Sequence, residues 1–142
     1  MLTARVDAIE RTVHKTNEWV GDLSQELGTD DREAWRVLRA YLQVLRDRLT
    51  IDEAAQLAAQ LPHLLRGVYY EGFDPSKQPE RIRDRDVFLA RLADRADLSD
   101  PAKAGPAAAA ATRVLRRHVT AGEIEDVFVQ LPREISDVLE DG

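Results

Sequence analysis

Two stretches of this sequence, seventy residues apart, follow the same pattern and share several identical residues. Residues 49–72 read LTIDEAAQLAAQLPHLLRGVYYEG, and residues 119–142 read VTAGEIEDVFVQLPREISDVLEDG. Both contain the tripeptide Gln-Leu-Pro, at residues 60–62 and at residues 130–132. Proline has no amide hydrogen and disfavours helical geometry in the residue before it, but it suits the start of a helix. Each copy therefore predicts two short helices joined by a corner.

The same two stretches begin with a helix-capping signal. Thr50 precedes Glu53, and Thr120 precedes Glu123, in the spacing of a capping box. In that motif the threonine hydroxyl accepts a hydrogen bond from the glutamate amide, and the glutamate carboxylate accepts one from the threonine amide. We therefore assign capping, and not acid–base catalysis, to the acidic residues of these first turns: Glu53, Glu123, Glu125 and Asp126.

The rest of the sequence is also helical in pattern. Aliphatic residues recur every three or four positions over residues 2–27 and again, after Trp35, over residues 35–49, which is the spacing of one helix face. Thr16 interrupts the first of these seams. The sequence therefore leaves open whether residues 2–27 form one helix or two. Gly28 is a stop signal, and Asp30 is a cap for the helix that follows. Further helices are predicted over residues 86–98 and 107–119, with a linker over residues 99–106.

These signals predict an all-α protein that forms a single domain over residues 1–142. The alignment of the copies predicts a tandem duplication of a four-helix unit, with repeats at residues 17–70 and 87–142 and a loop at residues 71–86. One such unit would be marginally stable alone, so we expect the repeats to pack into one pseudo-two-fold helical bundle. The predicted core contains Leu57, Leu61, Leu64, Leu65, Val68, Val127, Phe128, Leu131, Ile135 and Val138.

The composition limits the classes of function. The sequence has 142 residues, no cysteine and a net charge of -6. Disulfides, thiolate metal sites and cysteine nucleophiles are therefore excluded. The start of the chain lacks the apolar run of a signal peptide, and no stretch is apolar enough to span a membrane, so we expect a cytoplasmic protein without a membrane partner. The acidic balance argues against a nucleic-acid partner, which requires a basic surface.

No catalytic or cofactor motif is present in the sequence. The three histidines, His14, His63 and His118, lack the spacing of metal ligands on one helix face. The serines have no nucleophile-elbow setting, and the glycines form no phosphate-binding loop. We therefore predict a non-enzymatic protein with no catalytic residue, no cofactor and no metal site.

The candidate functional region joins the two copies and reads YYEGFDPSKQPERIRDRD, residues 69–86. It is longer than the usual connection between helices, and it combines aromatic with charged side chains. We predict that it binds a protein partner or a second copy of the chain through Tyr69, Tyr70, Glu71, Phe73, Arg81 and Arg85. The aliphatic seam from Leu2 to Val13 is a second candidate for pairing between chains.

Three other interpretations of the sequence stay open. In the first, the aromatic residues of the loop have no binding role and only hold the loop on the bundle. A pocket between the two repeats would make the protein a small-ligand binder or an enzyme. A salt-sensitive affinity for DNA would make it a nucleic-acid-binding regulator.

The sequence resembles a known family over most of its length. The segment from Trp19 to Ser76, and the segments FLARLADRA and TRVLRRHVTAGEIEDVFVQLPREI, are similar to the two halves of the bacterial domain of unknown function 2267. The most specific part is the pattern that leads through Gln-Leu-Pro to Tyr-Tyr-Glu-Gly. The resemblance implies a helical, duplicated bacterial domain and brings no established activity, cofactor or site residue. The stretch from Met1 to Lys15 and the alanine-rich sixth helix depart from the family pattern.

Overall fold

A computed structural model describes residues 5–140 of the chain. Within this range the backbone forms eight α-helices and no β-strand, which confirms the all-α prediction. The helices are α1 (Asp7–Leu27), α2 (Asp31–Asp47), α3 (Ile51–Ala58), α4 (His63–Tyr69), α5 (Arg85–Ala96), α6 (Ala104–His118), α7 (Ala121–Gln130) and α8 (Arg133–Glu140). Two short 3-10 turns, Pro75–Lys77 and Pro101–Lys103, precede α5 and α6.

Most helix ends follow the local signals. The first segment is one helix, because Thr16 lies buried inside α1 and does not cap a second helix. Gly28 ends α1 in the left-handed region at a φ of 67°, and Asp30 caps α2 by accepting a hydrogen bond from the Glu33 amide at 2.9 Å. The prediction of a linker over residues 99–106 is wrong at its C-terminal end, because α6 already begins at Ala104. A proline is tolerated in the first turn of a helix, so Pro106 does not delay the start.

Only half of each predicted capping box forms. The Thr50 hydroxyl accepts from the Glu53 amide at 3.2 Å, and the Thr120 hydroxyl accepts from the Glu123 amide at 3.3 Å. The return bonds to the threonine amides come from the opposite half of the chain: Gln130 Oε1 accepts from the Thr50 amide at 3.0 Å, and Gln60 Oε1 accepts from the Thr120 amide at 2.8 Å. The prediction that the two glutamate carboxylates cap these amides is therefore wrong.

The long helices α2 and α6 occupy the interior. Helix α2 packs against α1, α4, α5 and α6, while α6 also packs against α1, α5 and α8. Helices α3 and α7 contact each other. Six of the ten predicted core residues are buried: Leu57, Leu61, Leu65, Val127, Leu131 and Ile135.

The other four predicted core residues are less buried than expected. Val68, Phe128 and Val138 are half-buried, and Leu64 is 46% exposed. In α4 the buried face carries Leu65 and, four residues later, Tyr69. Residues four apart share a helix face, so Leu64 is turned away from the core by its position.

The two copies occupy corresponding environments. Every position from 50 to 57 and from 59 to 69 is buried, half-buried or exposed in the same way as the position seventy residues later. The reciprocal bonds of Gln60 to Thr120 and of Gln130 to Thr50 are those that a two-fold relationship would produce at this point. The tandem duplication and the pseudo-two-fold bundle as a whole stay predictions.

A buried arginine fixes the chain where α4 leads into the loop. Arg46 is 1% exposed, and its Nη1 donates to the carbonyl oxygens of Tyr69 and Glu71 at 2.6 and 2.7 Å. Its Nε and Nη2 donate to one carboxylate oxygen of Asp47, whose other oxygen accepts from Arg95 at 3.1 Å. This network sets the position of the segment from Glu71 onward, which carries the predicted interaction surface.

Candidate functional site

Tyr69 does not belong to the surface that the sequence predicts. Its side chain is 0% exposed, and its hydroxyl donates to the carbonyl oxygen of Ala54 at 2.9 Å. The inclusion of Tyr69 among the contact residues is therefore wrong. The reason is its place on α4, where it continues the buried face that begins at Leu65.

Tyr70 and Phe73 are half-buried and hold the loop on the bundle. Tyr70 makes edge-to-face contacts with the rings of Tyr69 and Phe73, with ring centres 5.2 and 5.4 Å apart. The Arg46 guanidinium lies 5.5 Å from the centre of the Phe73 ring. Such arrangements stabilise aromatic and cationic side chains against each other. These contacts favour the open alternative in which the aromatic residues have a structural task.

The charged members of the predicted surface are exposed but do not form one group. Glu71 pairs with Arg39 at 3.0 Å, and Arg85 lies 3.7 Å from Asp86. Arg81 is also exposed and lines a cleft of about 420 Å³. The residues around this cleft, which we call the arginine cleft, are Arg48, Gln78, Pro79, Glu80, Arg81 and Arg83.

Backbone contacts with the end of α2 shape the arginine cleft. Gln78 Nε2 donates to the carbonyl oxygens of Arg46 and Leu49 at 2.8 and 2.9 Å, and the Glu80 amide donates to the Asp47 carbonyl at 2.8 Å. Ile82 is 3% exposed and anchors the following residues. Because residues on either side of a buried one face outward in an irregular extended segment, Arg81 and Arg83 are both presented to solvent.

The arginines of this cleft lack acidic partners. The guanidinium of Arg48 donates to two backbone carbonyl oxygens, those of Glu80 at 2.9 Å and Gln130 at 3.2 Å. Glu80 pairs with Arg91 instead. Among residues 5–140, no carboxylate lies within ion-pair distance of Arg48, Arg81 or Arg83. Burial lowers the pKa of Arg48, and the positive charge of Arg83 lowers it further. The cleft therefore gathers positive charge that an anion would stabilise.

A second cleft, of about 450 Å³, lies beside the first half of α1. The rings of Trp19 and His118 stack in its wall with centres 4.7 Å apart, and His118 Nε2 lies 2.7 Å from a carboxylate oxygen of Asp22. His63 also lines this cleft, so the fold brings together two histidines that are 55 residues apart in sequence (118 minus 63). We call it the Trp19 cleft.

Comparison with known families gives one clear result. The model of a family described as an uncharacterized conserved protein, DUF2267, matches residues 16–138. The chain belongs to the DUF2267 family. No curated protein matches the sequence. In the part of this DUF2267 chain that the structure describes, no helix has both the length and the apolar character needed to cross a bilayer.

The DUF2267 chain also holds a group of carboxylates where α3 meets α7. One carboxylate oxygen from each of Glu53, Glu123 and Asp126 lies within 4.8 Å of the other two. Glu53 and Glu123 are 5% and 6% exposed, whereas Asp126 is exposed. Burial raises the pKa of Glu123 to about 8, and the adjacent Glu53 carboxylate contributes to the rise. We call these three residues the acidic cluster.

Sequence reasoning missed Arg48, Arg83 and the acidic cluster for different reasons. The alternation of arginine around Ile82 in the segment from Arg81 to Arg83 was a signal for a shared face. Arg48 had no such signal, because its position at the cleft depends on how the loop returns to α2. The sequence identifies the acids of the cluster but predicts helix capping for them, because Glu53 and Glu123 lie in the first turns of their helices.

Proposed function

We propose that the protein is a non-enzymatic interaction module that binds an acidic segment of a protein partner at the arginine cleft. The observation that carries this proposal is the charge of the cleft: Arg48, Arg81 and Arg83 meet there without a carboxylate partner among residues 5–140. The chain as a whole has a net charge of -6, so this local excess of cations contrasts with the rest of the molecule.

Carboxylates are the partners that such a cleft suits. A guanidinium offers several N–H donors in one plane, which match the two oxygens of a carboxylate, and its charge makes these hydrogen bonds stronger than neutral ones. Arg48 is already oriented by two backbone carbonyls, so little freedom is lost when it binds. Glu71 and Arg85, which the sequence also predicts as contacts, are exposed, but they pair with Arg39 and Asp86 and do not line the cleft.

The experiment is a fluorescence anisotropy titration with a labelled oligoglutamate peptide. The wild-type protein is expected to bind it with an affinity that falls as ionic strength rises. The double variant R81A/R83A should lose at least about tenfold in affinity, because one charge-assisted hydrogen bond contributes about 1.5–3 kcal/mol and 1.4 kcal/mol is tenfold.

The matched control is the double variant R32A/K103A. Both of these residues are exposed and lie outside the cleft, and the variant has the same net charge as R81A/R83A. Equal losses in the two variants would mean that only net charge matters and would overturn the proposal. Stronger binding of a labelled thymidine oligonucleotide than of the peptide would favour the nucleic-acid alternative instead.

A small-ligand site in the Trp19 cleft is a second candidate function. Trp19 is buried and stacks on His118, and His118, Arg11 and Lys15 line the same cleft. Its volume of about 450 Å³ lies in the range of small-molecule pockets. A planar anion such as benzoate combines the shape and the charge that these residues would recognise.

Titration with benzoate, followed by the tryptophan indole N–H signals in NMR, tests this second candidate. The Trp19 signal should shift, while the signal of Trp35, which does not line the cleft, serves as an internal control. Exchange of Lys15 for alanine should weaken the response. Identical behaviour of the two indole signals would dismiss the candidate.

A further inference from the structure

We propose that Glu53, Glu123 and Asp126 bind a divalent metal cation of calcium or manganese size between α3 and α7. This site is separate from the arginine cleft and does not depend on the function proposed for it. The inference begins with the incomplete capping boxes. Because Gln130 and Gln60 accept from the threonine amides, neither glutamate carboxylate is needed at its own helix start.

The two glutamate side chains lie instead in the contact between α3 and α7. Both are more than nine-tenths buried, and Oε2 of each has no hydrogen-bond partner among the described residues. Nor does any arginine, lysine or histidine of residues 5–140 form an ion pair with Glu53, Glu123 or Asp126. A buried carboxylate without a partner is strongly unfavourable, so the ionised pair needs compensation, which either a bound cation or a shared proton would supply.

The neighbouring polar group does not provide compensation. The carboxylates of Glu123 and Glu53 lie close enough to Tyr69 to add to the rise in its pKa, which burial dominates. The Tyr69 hydroxyl nevertheless donates to the Ala54 carbonyl oxygen and not to either glutamate. The unpartnered oxygens therefore remain available to a ligand.

The geometry of the oxygens fits one cation. Carboxylate oxygens bind calcium at about 2.3–2.6 Å, so two of them on opposite sides of the ion are about 4.6–5.2 Å apart. The three oxygens of the acidic cluster lie within 4.8 Å of one another. Oxygen-only ligands suit calcium, manganese or magnesium better than the softer metals. Asp126 is exposed, which gives the ion access from solvent and leaves room for coordinating water.

Isothermal titration calorimetry on EDTA-treated full-length protein tests the site, with CaCl₂ and MnCl₂ as the probes and MgCl₂ for comparison of ion size. We expect one ion per chain and a rise in Tm on binding. The conservative variant Glu123→Gln keeps the side-chain shape but removes the charge. It should lower the affinity for the metal at least about tenfold, because even the loss of a residue that only hydrogen-bonds to a metal ligand costs about 10–100-fold.

The matched control is Glu125→Gln, which removes an exposed carboxylate of α7 outside the cluster and should leave the affinity unchanged. Circular dichroism establishes that both variants are folded. Failure of the wild type to bind any of the ions up to about 1 mM, the weak end of calcium sites, would overturn the proposal. So would equal affinity in Glu123→Gln. Stability that falls with rising pH and does not respond to metal would show that the glutamates share a proton instead.

Discussion

Gln60 holds Thr120 through two hydrogen bonds: its Oε1 accepts from the Thr120 amide at 2.8 Å, and its Nε2 donates to the Thr120 hydroxyl at 3.0 Å. One glutamine thus completes the start of α7 from the opposite half of the chain. Gln130 accepts from the Thr50 amide at the start of α3 in the same way. The contact between α3 and α7 is therefore flanked by reciprocal side-chain bonds.

Exchange of Gln60 for alanine tests the contribution of this contact. We expect a loss of about 1 kcal/mol in the free energy of unfolding, because a typical intramolecular hydrogen bond contributes about 0.5–1.5 kcal/mol. Urea denaturation provides the measurement. Gln56→Ala, on the exposed side of α3, is the control. Equal midpoints for the two variants would mean that the bonds to Thr120 are neutral.

Exchange of Leu61 for alanine should destabilise the bundle much more. Leu61 is 3% exposed, and removal of a buried leucine costs about 2–5 kcal/mol through lost burial and the cavity that remains. Val129 is 80% exposed, so Val129→Ala should change the thermal midpoint little. A thermal shift for Leu61→Ala no larger than that of Val129→Ala would contradict the burial of Leu61 in the core.

Arg46 should be the most sensitive charged residue. Arg46→Met leaves the buried Asp47 with Arg95 alone and leaves the Tyr69 and Glu71 carbonyls without their donor. Breaking a buried ion pair in this way costs about 3–5 kcal/mol.

The control for this prediction is Arg39→Met. Arg39 forms an exposed pair with Glu71, and exposed pairs contribute about 0–1 kcal/mol. Chemical denaturation of both variants gives the comparison. Similar losses would show that the Arg46 network contributes no more than a surface pair.

Glu26 should give the protein an acid-sensitive contact between α1 and α6. Its carboxylate accepts hydrogen bonds from Arg113, at 2.8 Å, and from Arg117, and these bonds lower its pKa below the ordinary value of 4.5. A lowered pKa in the folded state stabilises the fold above the unfolded pKa, and the effect is lost as pH falls through the folded value.

Glu26→Gln should therefore be less stable than the wild type at neutral pH, and the difference should shrink as the pH falls below about 4. Thermal melts across this range measure it. Glu10→Gln, on the exposed side of α1, should show no such pH-dependent difference. A difference for Glu26→Gln that is constant with pH would contradict the assignment.

The helices were predictable because their signals are local. Gly28, Asp30 and the two threonine caps act within one turn, and the periodicity of each segment identifies its buried face. The contacts that individual side chains make were harder to predict from the sequence. The sequence motif directs Glu53 to the Thr50 amide, but Gln130, seventy-seven residues away (130 minus 53), takes that position in the fold.

The candidate sites depend on such distant contacts. Tyr69 looked like part of an exposed aromatic group, and only the packing of α4 shows that it belongs to the core. Arg48 and Arg83 meet because the loop returns to the end of α2. The sequence pattern located the loop but not the cleft that it forms.

The alanine-rich stretch of α6 looks like the least informative part of the sequence, yet it lies at the crowded centre of the bundle. Ala108, Ala110 and Ala111 are at most 1% exposed, in a helix that touches α1, α2, α5 and α8. A larger side chain there would force neighbouring helices apart, since tightly packed interiors tolerate added methylene groups poorly. The segment of simplest composition is therefore poorly able to accept larger side chains, and its small residues set how closely the four neighbouring helices pack against α6.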